Sequence, residues 1–89
     1  MHPDLSMADA FNGYRALLQQ HLAEAEAFAD RSEVLIKRQE DLVAVLTARG
    51  RDTATATESL RLARGAVLLH RQRIADMERE LARLNRLRV

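Results

Sequence analysis

Few side chains in this sequence have the type and spacing to do chemistry. The histidines are His2, His21 and His70, and there is no cysteine. Without cysteine there is no disulfide framework, no thiolate metal site and no thiol nucleophile. His21 and Glu24 stand one helical turn apart. Metal sites in helical bundles use Glu-x-x-His on two helices, with a further Glu from each of two others. Here the order is reversed and occurs once, so no metal is expected. A glycine-rich phosphate loop, an HExxH motif and a Ser-His-Asp set are all missing. The expectation is a non-catalytic chain with no catalytic residues and no cofactor.

Arginine is the remaining candidate. Residues 1–48 sum to −4 and residues 49–89 to +5, and thirteen of the fourteen basic residues are Arg. Arg64, Arg71, Arg79, Arg83 and Arg86 could meet phosphate or an acidic partner. Asp76, Glu78 and Glu80 interrupt that ridge, no aromatic residue interleaves it for base stacking, and the pI of about 8.4 is modest. Nucleic-acid binding is therefore the alternative reading, behind an acidic segment packed beside a basic one.

The elements that would position these residues are helices. Of the 89 residues 47% are hydrophobic, 3% aromatic and 30% charged, with 3 Gly and 1 Pro. Too few turn formers and aromatics are present for a β-sandwich or barrel. Residues 1–5 read as a tail, and Ser6 followed by Asp9 reads as a helix start. A helix is expected over 6–49, a turn over 50–52 and a second helix over 53–88, all in one domain. Gly50 can adopt the left-handed conformation that ends a helix. Asp52 or Thr53 can cap the next one, and Thr55 with Glu58 offers a second capping box. Ser32 is a further possible cap, which would break the first helix and give three.

Apolar positions alternate by four and three. The first stripe is Tyr14, Leu18, His21, Ala25, Phe28, Ser32, Leu35, Gln39, Leu42 and Leu46. The second runs Ala56, Leu60, Ala63, Val67, His70, Ile74, Met77, Leu81, Leu84 and Arg88. Such heptad stripes face a partner helix. A short turn makes the helices antiparallel and pairs Leu42 with Leu60, Leu35 with Val67 and Phe28 with Ile74. Ser32 then faces His70, a polar layer that would resist slippage, with the histidine hydrogen-bonded to the serine. The same register brings Glu24 near Glu80 and Arg31 near Arg73, which is mildly repulsive. Met7 and Met77 read as core fillers.

More apolar surface exists than one stripe uses. Leu22, Ala29, Ile36 and Val43 form a second column on the first helix, and Leu62, Leu68 and Leu69 point away from the hairpin contact on the second. A helix apolar all round is normally surrounded by protein. These seven residues are the expected oligomer interface. The expectation is an all-α, coiled-coil-like helical hairpin that dimerises into a four-helix bundle, acting as a protein-interaction or regulatory module. A different protein partner is the other way to cover the surplus. No apolar run approaches a membrane span, and the Met-His-Pro-Asp start lacks a signal pattern, so the expected location is cytoplasmic.

From about Gln20 to Leu81 the chain resembles a family of small helical proteins common in alphaproteobacteria. Arg38-Gln39, Val43-Ala44 with Leu46, Gly50 with Asp52-Thr53, then Ala56, Leu60, Leu69 and His70 carry the resemblance. The Gly-x-Asp-Thr turn is its most specific part. Ala63 and Arg51 depart from the family, which has an aromatic and a histidine there. The resemblance implies a helical hairpin and brings no activity with it.

Overall fold

The computed structural model describes residues 7–87. These form two helices, α1 (Met7–Ala48) and α2 (Ala54–Arg86). They lie side by side as an antiparallel hairpin with extents of 72 × 28 × 15 Å. The radius of gyration is 20.4 Å, against about 12 Å for a globular chain of this length. The first helix runs unbroken through Ser32. The helix start expected at Ser6 lies outside the described residues, as does His2.

The turn follows from Gly50. Its φ of 64° is left-handed, a conformation that costs an L-residue about 1–2 kcal/mol. The Gly50 N–H donates to the Thr47 carbonyl at 3.0 Å and the Arg51 N–H to the Leu46 carbonyl at 2.9 Å. Together these form a Schellman motif, which satisfies carbonyls that the end of α1 would otherwise leave open. The start of α2 is held by the Asp52 carboxylate, which accepts from the Ala54 N–H at 2.9 Å. The side chain of Thr53 makes no capping bond. Glu58 reaches forward to Arg61 rather than back to a cap at Thr55.

The seam between the helices contains Ala29 and Ile36 from α1 and Leu60, Val67, Ile74 and Leu84 from α2. Ile36, Leu60 and Val67 form one cluster, with Val43 and Ala63 packed on it. On α2 the buried and half-buried stripe follows the expected spacing from Ala56 to Leu84. On α1 it does not. The helix is turned by about half a residue's angular step, so that Leu22, Ala29, Ile36 and Val43 line the seam in place of Phe28, Leu35 and Leu42. Leu22, Ala29, Ile36 and Val43, read as an outer interface, are therefore inner residues. Phe28, Leu35 and Leu42 are 44%, 57% and 45% exposed.

The reason is size and charge. Ala29 is 0% exposed, and its single methyl lets the backbones approach where Phe28 would hold them apart. The same rotation brings the acidic side of α1 against the arginines of α2. Met7 is 87% exposed and fills no core, whereas Met77 is half-buried in the seam.

Candidate interaction surface

The two long edges of the hairpin differ in chemistry. On one edge Arg71 Nη2 meets Glu33 Oε1 at 2.6 Å and Asp30 Oδ1 at 3.6 Å, and Arg64 Nη2 meets Glu40 Oε1 at 3.5 Å. Glu26, Glu33 and Glu40 repeat every seven residues along this side of α1. These exposed pairs cross between the helices and each contribute little to holding them together.

Further along α2, Arg79 pairs with Asp76, and Arg83 Nε donates to Glu80 Oε2 at 3.0 Å. The hydrogen bond from Arg83 holds the Glu80 carboxyl below its ordinary value of 4.5, with a smaller contribution from the Tyr14 hydroxyl. Arg61 does the same to Glu58. Four of the five arginines read as phosphate contacts (Arg64, Arg71, Arg79 and Arg83) thus already hold carboxylates of their own chain. Arg86 has no ion pair among the described residues and sits in the last turn of α2, where its charge complements the helix dipole.

The opposite edge is apolar. Tyr14, His21, Phe28, Leu35 and Leu42 stand at strict seven-residue spacing on α1. The Tyr14 hydroxyl points to Glu80 Oε1 at 3.5 Å, and the Phe28 ring lies on the His70 imidazole with centroids 4.4 Å apart and planes tilted by 36°. Those two contacts place this column beside α2 residues Ala66, Arg73 and Glu80. Leu62 and Leu69, 58% and 67% exposed, continue the apolar surface onto α2. A shallow cavity of about 190 Å³ opens here, lined by Ala66, Leu69, His70 and Arg73. Leu68, 60% exposed, belongs to the outer side of α2.

The expected bond between Ser32 and His70 does not form. His70 Nδ1 is buried and has no hydrogen-bond partner among the described residues. The rotation of α1 that puts Ala29 in the seam lays the Phe28 ring over the imidazole instead of bringing up the serine hydroxyl. A buried nitrogen without a partner is costly, and Ser32 therefore does not supply the polar lock foreseen for it. His21 is exposed, and Glu24 accepts from Gln20 Nε2 at 3.2 Å. Among the described residues no group of three or more His, Cys, Asp or Glu is placed to hold a metal ion, and no helix is long and apolar enough to cross a membrane.

Sequence reasoning missed Phe28, Leu35 and Leu42 as surface residues. The small Ala29 beside Phe28 was the available signal, because the smaller of two adjacent apolar columns permits the closer helix contact. Comparison of the chain with protein-family models, curated proteins and solved structures finds no match.

Proposed function

We propose that this chain is a non-catalytic protein-interaction module that works as a homodimer, hairpin on hairpin in a four-helix bundle. The observation that carries the reading is the row of large apolar side chains left exposed along one edge of the hairpin.

Phe28, Leu35, Leu42, Leu62 and Leu69 are each about half exposed. Full burial of such side chains is worth about 1.5–3 kcal/mol each, so finishing the job on both copies is worth on the order of 10 kcal/mol. Less the roughly 4 kcal/mol at the low end of the cost of association, about 6 kcal/mol remains, so a reversible dimer with a dissociation constant of tens of micromolar is expected rather than a permanent one. Sedimentation equilibrium up to several hundred micromolar should approach twice the 10.1 kDa chain mass. A monomer throughout that range overturns the reading.

The alternative is a nucleic-acid-associated protein using α2. Four of its five proposed arginines are engaged within the chain, which disfavours it. This alternative requires a mobility shift at low salt that weakens steeply as salt rises.

A further inference from the structure

We infer that a second copy of this chain binds the Tyr14–Leu42 edge, antiparallel to the first, about a twofold axis beside Phe28. The inference rests on the homodimer reading and specifies its face and register. Three observations support it.

The apolar column is symmetric about its centre. Tyr14 and Leu42 stand two heptads either side of Phe28, and His21 and Leu35 one heptad either side. Reversing the column about Phe28 sets Tyr14 against the partner's Leu42 and His21 against the partner's Leu35, so each bulky apolar group meets another ring or aliphatic chain. An isologous interface requires such self-complementarity.

Phe28 also lies at the middle of α1 (Met7–Ala48). Antiparallel packing about this point overlaps the two hairpins along nearly their whole length and covers the Tyr14–Leu42 column from end to end.

The charges bordering the column fit only when it is reversed. Arg31, three residues after Phe28, and Glu24, four before it, share its face of the helix. On α2 the His70 imidazole lies on Phe28 and Glu80 meets Tyr14, so Arg73, three residues past His70, lies on the Glu24 side of Phe28. Arg31, on the other side, has no ion pair among the described residues. A parallel partner would stack Arg31 on Arg31 and Glu24 on Glu24. The antiparallel partner sets each Arg31 against the other copy's Glu24.

The test uses charge reversal and distance. Glu24→Arg and Arg31→Glu should each weaken dimerisation about tenfold, since each acts twice by symmetry. The double variant should return to within about threefold of the original. Circular dichroism controls for helix content, and both sites are exposed. Since the chain has no cysteine, Arg51→Cys in the turn takes a single spin label. Labels in the dimer should then be separated by a distance approaching the 72 Å length of the hairpin. A dimer with turns close together, or charge variants that do not compensate, overturns this register while leaving the homodimer intact. A chain that is monomeric by sedimentation overturns the homodimer reading itself.

Discussion

A carboxylate at position 36 would lie against Leu60 and Val67, with no cation in that cluster to meet it. One residue earlier, at Leu35, a carboxylate would stand in water, since that side chain is 57% exposed. Burying an unpaired charge costs several kcal/mol, which a hairpin with so small a seam cannot absorb. Ile36→Asp should therefore abolish the helical signal in circular dichroism at any concentration. Leu35→Asp should keep that signal at high concentration and lose only the dimer mass. If the two variants behave alike in both measurements, the division of α1 into inner and outer columns is wrong. At the same scale, the hydrogen bond from Arg83 gives Glu80 a folded-state pKa below 4.5. Its contribution to stability is present above the ordinary carboxylate range and is lost as pH falls through the lowered value. An NMR titration should place Glu80 below 4.5, and Arg83→Gln should raise its midpoint.

At the level of the elements, glycine has opposite meanings in the turn and in α2. Gly50 has φ 64°, so Gly50→Ala should destabilise by about 1–2 kcal/mol through the strained backbone. Gly65 lies in a helix, and a methyl added there would meet nothing within 4 Å. Gly65→Ala should stabilise by about 0.5–1 kcal/mol. Thermal melts of the pair should move in opposite directions. The helices and the glycine turn were legible in the sequence because breakers are few, and of the glycines only Gly50 is followed closely by a capping residue, Asp52. The seam stripe of α2 was legible too, since its central stripe of Leu60, Val67 and Ile74 is bordered by Arg64 and Arg71 on one side. The rotation of α1 was not. Its Phe28–Leu35–Leu42 and Ala29–Ile36–Val43 columns are adjacent and equally apolar, so hydrophobic periodicity alone cannot choose between them. The choice is made by the width of Ala29 against Phe28, which the sequence does show, and by the pairing of Glu33 and Glu40 with Arg71 and Arg64, which needs the partner helix in place.

For the molecule as a whole, the two edges divide the work. The Glu33–Arg71 and Glu40–Arg64 pairs hold one helix to the other, while the proposed dimer uses the edge those pairs leave free. Each protomer's seam is one stripe wide, with only Ala29 fully enclosed among the described residues, so folding and association should be coupled. A partner that binds only the folded chain stabilises it by mass action, and the stabilisation grows with concentration. The melting temperature should therefore rise as the protein is concentrated from about 1 to 100 micromolar, a range that spans the dissociation constant expected for an interface of roughly 6 kcal/mol. Leu35→Asp should flatten that dependence without eliminating the transition, since its seam is intact. If the melting temperature of the unaltered chain is the same at both ends of the range, the exposed leucines contribute nothing through self-association. The hairpin would then be stable on the strength of one narrow seam and its charged edge.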